Sequence, residues 1–130
     1  MSDGRLVSGS DDHSIIIYNK KTYVPDLIIK EHNYGISCIT QLNSGILASC
    51  SFDKTIKLYK IKSKTYKVLQ TLNHHGNCVY KIIELKNKIL ASCSEDASII
   101  FYKKDNLEYK IDYKIETNGV CSSIIQTKDN

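Results

Sequence analysis

One fourteen-residue pattern occurs three times in this 130-residue chain and limits what the chain can fold into. The copies begin at Arg5, Ile46 and Ile89 and read RLVSGSDDHSIIIY, ILASCSFDKTIKLY and ILASCSEDASIIFY. The last two are identical at nine of fourteen positions, and six positions are common to all three. Their shared aspartate recurs at spacings of 41 and 43 residues, as Asp12, Asp53 and Asp96. A period of this length predicts a repeat protein in which each copy is one supersecondary unit.

Each copy contains two predicted strands joined by a tight turn. In the third copy, Leu90–Cys93 is small and apolar, as suits a strand buried on both faces. The turn Ser94–Ala97 contains an aspartate that can bond its own backbone two residues on. Ser98–Tyr102 is β-branched and aromatic, a composition typical of strands. Extending this interpretation along the chain predicts twelve strands.

The pattern Ser-x-Ser-x-Asp, followed by a β-branched run and an aromatic residue, resembles the WD40 repeat in both spacing and residue type. The resemblance has departures in this chain. Where the family closes a repeat with Trp-Asp, this sequence has Tyr18-Asn19, Tyr59-Lys60 and Tyr102-Lys103. The family's opening Gly-His corresponds to Glu31-His32 and His74-His75. His32 and His75 each precede the aspartate of their repeat by 21 residues.

The resemblance implies an all-β, WD40-like β-propeller segment with about three blades of four antiparallel strands. Residues 5–30 would form a first blade without its innermost strand, and 32–71 and 75–115 would form complete blades. Residues 119–126 would be the inner strand of a further blade. Because propellers have four to eight blades, we expect an incomplete ring. It would be a fragment, or a half completed by further blades from a longer chain or a second chain.

Each full repeat supplies a serine, a histidine and an aspartate, which as residue types could form a nucleophilic triad. The resemblance implies a structural role instead, in which the aspartate binds the histidine, the histidine binds the serine, and the serine binds the closing aromatic residue. Recurrence in each blade favours the structural role, because an enzyme needs one site. The predicted network comprises Ser8, Asp12, Tyr18, His32, Ser49, Asp53, Tyr59, His75, Ser92, Asp96 and Tyr102.

The cysteines indicate a reducing compartment. Their number is five, none forms Cys-x-x-Cys, and Cys50 and Cys93 take the repeat position held by Gly9. Small buried thiols therefore explain them better than disulfides or a zinc site. The N-terminus lacks the apolar region of a secretion signal, and no run of eighteen apolar residues occurs. We expect a cytoplasmic or nuclear protein without a membrane partner.

Cofactors and nucleic acid are not expected. The sequence His74-His75 with Cys78 does not have the spacing of a known zinc site. No glycine-rich phosphate-binding pattern occurs, so the sequence predicts no metal and no cofactor. The net charge of +4 is mild, and Arg5 is the only arginine. Specific nucleic-acid recognition is therefore not indicated.

Charge is distributed unevenly between the predicted turns. In the resembling family, the turns after the second strand and before the innermost strand share one face, and here they hold seven acids and one lysine. The turns after the third strand hold seven lysines. One interpretation is that exposed loops are simply charged, and the other is that the acidic face is a docking surface. The predicted partner-binding residues are Asp11, Asn33, Tyr34, Phe52, Asn77, Glu95 and Asn118.

The function implied by the resemblance is a non-catalytic scaffold that binds protein or peptide partners through this face. Basic segments are the first expected ligands, because acids surround Phe52, an aromatic residue typical of interface hot spots. The alternative is a propeller that targets a larger enzyme, such as a ubiquitin ligase or a kinase. A catalytic domain in the same reading frame would favour that alternative.

Overall fold

The computed structural model of the chain describes residues 1–127, which form eleven β-strands and no helix. These residues therefore include no helix that is long and apolar enough to cross a membrane. The all-β prediction is confirmed. The strands are β1 (Val7–Gly9), β2 (Ile15–Tyr18), β3 (Pro25–Ile29), β4 (Ile36–Gln41), β5 (Leu47–Ser51), β6 (Ile56–Lys62), β7 (Thr65–Leu72), β8 (Val79–Glu84), β9 (Leu90–Ser94), β10 (Ser98–Asp105) and β11 (Glu108–Glu116).

The strands form three antiparallel sheets in which each strand pairs with its neighbour in the chain. The first sheet is β1-β2-β3, the second is β4-β5-β6-β7 and the third is β8-β9-β10-β11. The first therefore has three strands and the other two have four. Short connections favour this arrangement, because antiparallel neighbours can be joined by tight turns.

Two hydrophobic cores hold the sheets face to face. The core between the first and second sheets comprises Ile15, Ile17, Ile29, Ile36, Leu47 and Tyr59. The core between the second and third sheets includes Ile56, Leu58 and Leu72 from one side and Ile82, Leu90 and Ile100 from the other. Each fully buried aliphatic side chain contributes about 1.5–3 kcal/mol of transfer free energy.

The second strand of each unit is the tightest place in the fold. The strands β5 and β9 have the same sequence, LASCS, and every residue in them is buried. In the first sheet Gly9 takes the place of the cysteine, and a Cβ there would lie 2.5 Å from Ile36 Cγ2 and 2.7 Å from Ile39 Cδ1. That crowding explains why the first sheet has glycine at this repeat position, whereas the other two sheets have room there for a buried cysteine.

The strand predicted at 119–126 is not formed, so residues 1–127 contain eleven strands and not the predicted twelve. The segment is nevertheless attached to the third sheet, where the Cys121 N–H donates to Ser94 O at 3.1 Å. A strand requires a partner on its ladder, and no strand within residues 1–127 pairs with this segment. The sequence pattern predicted its position but could not supply a partner.

Candidate functional site

In the second sheet, four side chains form a buried hydrogen-bonded chain. His32 Nδ1 lies 2.8 Å from Asp53 Oδ2, and His32 Nε2 lies 2.6 Å from Ser49 Oγ. Ser49 Oγ in turn donates to Tyr59 Oη at 3.4 Å. Asp53 is held from its other side by the Thr55 hydroxyl at 2.6 Å. The chain joins the turn before β4 to β5, to β6 and to the turn between β5 and β6.

The third sheet repeats this geometry except at its last link. His75 Nδ1 lies 2.9 Å from Asp96 Oδ2, and His75 Nε2 lies 2.7 Å from Ser92 Oγ. Ser98 Oγ donates to Asp96 Oδ1 at 2.6 Å. The Tyr102 hydroxyl, however, is buried and has no hydrogen-bond partner among residues 1–127. This tyrosine therefore fills space in the core without completing the chain.

The first sheet has only separate parts of the network. Ser8 Oγ and Tyr18 Oη lie 3.0 Å apart, so this serine–aromatic link forms. Asp12 accepts from the Ser14 N–H at 2.9 Å and from the Ser14 hydroxyl at 2.6 Å. Within residues 1–127, no histidine joins these two parts as His32 and His75 join them in the other sheets.

Burial and hydrogen bonding set the charge states of the network. Burial lowers the pKa of His32 and of His75 despite the neighbouring carboxylates, so both rings favour the neutral form. Burial opposes ionisation of Asp96 as well. Hydrogen bonds from Ser98, the Gly76 N–H and His75 outweigh that effect and hold its pKa at about 2. Each unit thus pairs a neutral histidine with an ionised aspartate.

The network has the residue types of a catalytic triad but not the access that a nucleophile requires. Ser49 and Ser92 are both 0% exposed, so a substrate carbonyl cannot approach either hydroxyl. The arrangement can fix the register of the strands that it joins. Within residues 1–127, no three His, Cys, Asp or Glu side chains are arranged as a metal site.

The cysteines are all free thiols, but they differ in environment. Cys38 on β4 is the cross-strand partner of Cys50 on β5. A hydrogen bond with Cys50 lowers the pKa of Cys38 to about 6, whereas burial raises the pKa of Cys50 and brings that of Cys93 to about 12. Cys38 is the half-buried member of its pair, so it combines access with thiolate character.

Four predicted partner-binding residues lie with Tyr80 at one end of the sheets. We call this end the loop surface, and it comprises Asp11, Tyr34, Phe52, Glu95 and Tyr80. The Phe52 and Tyr80 rings contact edge to face, with centroids 6.2 Å apart. Gly35 lies beneath Phe52 and Asp11, since a Cβ there would be 3.3 Å from Phe52 Cδ2 and 2.7 Å from Asp11 Oδ1. Tyr34 is 62% exposed, and its ring lies 6.0 Å from that of His13. Aromatic and acidic side chains therefore alternate across the surface.

Tyr80 is the member of this surface that sequence reasoning missed. It lies on β8 between Val79 and Lys81, where a register shift relative to β9 marks a β-bulge. Bulges redirect a side chain away from its regular alternation. Strand β4 has an equivalent bulge between Ile36 and Cys38. Only a comparison of the second and third repeats could therefore have indicated the bulge at Tyr80.

Three other predicted binding residues have different positions. Asn33 is exposed, but its N–H is committed to Asp53 Oδ2 at 3.0 Å. Asn77 is half-buried, and its carbonyl accepts from the Ser94 hydroxyl at 3.1 Å. Asn118 is exposed just beyond β11. The side chains that remain available on the loop surface are mainly those of Phe52, Tyr34 and the neighbouring acids.

Not all of the seven acids predicted for this face are available to a partner. Asp53 and Asp96 belong to the buried networks. Glu31 accepts from the Tyr66 hydroxyl at 2.8 Å, and Glu116 pairs with Lys114 at 2.8 Å. The free negative charge of the surface is held by the three acids that make no salt bridge to a residue within 1–127: Asp11, Asp12 and Glu95.

The opposite end of the sheets is rich in lysine. A groove of about 650 Å³ lies there between the second and third sheets. Its lining includes Lys60, Lys67 and Lys104 together with the apolar side chains of Leu69 and Leu107. The two ends of the molecule thus differ in charge, as the positions of the turns predict.

Comparisons with known proteins agree with this geometry. The family model described as "WD domain, G-beta repeat" matches residues 24–60. The crystal structure of the WD40 beta propeller domain of Doa1 is similar over 92% of this chain, with a TM-score of 0.76 and 26% sequence identity. This chain spans 39% of that chain. No curated protein matches in sequence. The chain therefore carries a WD40 repeat at residues 24–60, and its three sheets have the fold of blades in an open segment of a WD40-type β-propeller.

Proposed function

We propose that this chain is a non-catalytic scaffold that binds a peptide segment of a partner protein on the loop surface. The observation that carries the proposal is the edge-to-face contact between Phe52 and Tyr80, which joins the second and third blades. Phe52 remains 37% exposed, although a large aromatic side chain gains most from burial. An aromatic anchor held by a second ring is a typical centre of a binding hot spot.

A basic segment fits this surface better than an acidic one. Asp11 contacts the same glycine as Phe52, and the charge of Glu95 raises the pKa of both Cys78 and Tyr80, although burial is the larger cause for each. The two carboxylates therefore lie on either side of the aromatic pair. Lysine or arginine side chains that flank an apolar residue would match this order of charges.

The experiment is a peptide array probed with the purified chain and with variants. Phe52→Ala should lose the peptides that the wild-type chain selects, and those peptides should be enriched in Lys and Arg. Leu107→Ala is the matched control, because Leu107 is an exposed apolar residue in the turn between β10 and β11, on the lysine side. It should retain the wild-type selection.

A charge-reversed variant tests which end of the propeller binds. Lys20→Glu combined with Lys21→Glu alters the lysine side without touching the loop surface. If this variant loses the selected peptides while Phe52→Ala retains them, the docking surface lies at the opposite end and the proposal is wrong.

A further inference from the structure

The groove between the second and third sheets, called the lysine groove below, has a counterpart between the first and second sheets. The counterpart, called the first groove, has a volume of about 420 Å³, compared with about 650 Å³ for the lysine groove. Charged side chains line the first groove, among them those of Asp3, Arg5, Asp26 and Lys64. Because the two grooves lie between successive repeats, their linings can be compared position by position.

Leu69, which lines the lysine groove, takes a position that holds aspartate in the other two blades. The outermost strand of each blade has a β-bulge next to the partner of the closing tyrosine, so one residue there has no partner across the ladder. That residue is Asp26 in β3, Leu69 in β7 and Asp112 in β11. A bulge re-aims the side chain that it carries. In β7 it leaves Leu69 42% exposed.

Leu107 also takes the place of a charged residue. It directly precedes β11, as Lys64 directly precedes β7. In the first groove, Lys64 Nζ lies 3.4 Å from Asp26 Oδ1, so these two positions form an ion pair between two blades. In the lysine groove the same two positions hold leucines, and Leu107 is 90% exposed. Covering these leucines would remove apolar surface from water, which is favourable.

A third position differs between the grooves in the same way. Arg5 begins the first copy of the fourteen-residue pattern, and Ile46 begins the second. The Arg5 side chain pairs with Asp3 at 2.7 Å and donates to Ser63 O at 2.8 Å, so its charge and its donors have partners within the chain. Ile46 instead lines the lysine groove. The lysine groove is therefore apolar where the first groove contains ion pairs.

The lysines of the groove carry unpaired positive charge. Lys60, Lys67 and Lys104 are exposed, and none makes a salt bridge to a residue within 1–127. The lining includes one acid, Glu108, so three lysines and one glutamate leave a net charge of +2. This charge favours an occupant that carries carboxylates.

Hydrogen bonds between the blades hold the walls of the lysine groove in place. Gln70 Nε2 on β7 donates to Tyr109 O on β11 at 2.7 Å, and the Tyr109 N–H donates back to Gln70 Oε1 at 2.8 Å. Leu69 adjoins Gln70 in the chain, and Leu107 lies two residues before Tyr109. The two bonds therefore fix the strands that carry the two leucines. A groove formed in advance costs less ordering when a ligand binds.

We propose that the lysine groove binds an acidic peptide segment of a partner protein. An apolar residue of the segment covers Leu69 and Leu107, and the carboxylates that flank it lie near the three lysines. A peptide fits better than a nucleic acid, because the lining contains no arginine and no aromatic ring on which a base can stack. The site is separate from the loop surface and takes peptides of the opposite charge, so one chain can hold two different segments.

Fluorescence anisotropy with labelled synthetic peptides tests the ligand class. Each peptide carries a central leucine flanked by aspartate and glutamate at varied positions. The wild-type chain should bind members of this set, and raising the salt concentration should weaken the binding, because the charges involved are exposed. Replacing the acids by serine, or the leucine by serine, should each weaken binding by about tenfold or more.

A double variant, Leu69→Asp with Leu107→Lys, tests the location. It gives the lysine groove the ion pair that Asp26 and Lys64 form in the first groove. Because the fold already accepts that pair between two blades, the urea midpoint should stay close to that of the wild type. Binding of the acidic peptides should fall by about tenfold or more. Val24→Asp, which places an aspartate at an exposed apolar position outside the groove, is the control and should bind as the wild type does.

A charge reversal tests the role of the lysines. Lys67→Glu changes an exposed side chain of the groove and should also weaken acidic peptides by about tenfold. Lys21→Glu makes the same change at an exposed position of the first blade and should have no such effect. Basic peptides titrated in parallel report on the loop surface, so the failure of one site is distinguishable from the failure of the other.

Three outcomes would overturn the proposal. The first is that no acidic peptide binds the wild-type chain, and the second is that the double variant binds acidic peptides as tightly as the wild type. The third is that the wild type binds vesicles containing phosphatidylserine, and the double variant does not, while no peptide binds. That result would assign the lysine groove to a lipid surface.

Discussion

Tyr59 and Tyr102 hold the same position in successive blades, but only the Tyr59 hydroxyl has a hydrogen-bond partner. Ser49 Oγ donates to Tyr59 Oη at 3.4 Å, whereas Tyr102 Oη is buried and unpaired. Burial raises the pKa of Tyr102 to about 12, so its hydroxyl stays neutral. A tyrosine at this position can therefore fill the core without closing the network.

Removing the two hydroxyls should have opposite effects on stability. Tyr102→Phe deletes a buried group without a partner, so the free energy of unfolding should stay constant or rise. Tyr59→Phe removes the hydrogen bond with Ser49 and should lower the free energy of unfolding. The loss should be at most about 0.5–1.5 kcal/mol, because that hydrogen bond is long. Urea denaturation of both variants measures the difference. A larger loss in Tyr102→Phe than in Tyr59→Phe would contradict this assignment of partners.

Replacing the turn aspartates should destabilise the fold. Asp53 and Asp96 each accept hydrogen bonds from a histidine side chain, a hydroxyl and a backbone N–H. Asp53→Ala and Asp96→Ala should therefore each cost about 1–3 kcal/mol, because buried donors lose their acceptor. Denaturant midpoints report the loss. Asp11→Ala, at an exposed turn position, is the control, and midpoints equal to that control would contradict a structural role for the network.

The sequence predicted these networks because their residues recur at fixed offsets. The 21-residue interval between His32 and Asp53, repeated between His75 and Asp96, indicated both partners before any coordinates. The missing link at Tyr102 could not be predicted, because Ser92 and Tyr102 have the same residue types and spacing as the linked pair Ser49 and Tyr59. Tyr80 was missed because a β-bulge, which no local pattern marks, turns it toward Phe52. Residues 119–126 were wrongly predicted as a strand, because composition alone cannot reveal whether a pairing partner exists.

Stability should fall as the pH is lowered from 7 to 5. Burial lowers the pKa of His32 and His75 below the ordinary value of 6.5, so the unfolded chain binds protons that the folded chain refuses. The stability that the two neutral histidines contribute is fully present above about pH 6.5 and is lost as the pH falls below that value. The pKa of Asp96, at about 2, lies far outside this window. Urea midpoints measured across the range should show a slope that decreases in His32→Gln and again when His75→Gln is added.

A pH-independent midpoint between 7 and 5 would show that these histidines keep their ordinary proton affinity in the fold. An unchanged slope in the double variant would assign the pH dependence to other groups.

Cys38 should react with an alkylating agent at neutral pH before Cys50 and Cys93 do. Its hydrogen bond with Cys50 lowers its pKa to about 6, so the thiolate predominates at pH 7. Cys50 and Cys93 are buried and should react only on unfolding. Timed labelling with iodoacetamide, followed by peptide mass spectrometry, measures the order. Labelling of Cys93 before Cys38 in the folded chain would contradict it.

Phe52 and its neighbours on the loop surface should bind the partner segment. The most direct measurement is the dissociation constant of the best peptide from the array, titrated against the wild type, Phe52→Ala and Leu107→Ala. Loss of an aromatic hot-spot anchor costs 2 kcal/mol or more, so Phe52→Ala should weaken binding by about 30-fold, while Leu107→Ala should match the wild type. Equal dissociation constants for Phe52→Ala and the wild type would contradict the claim.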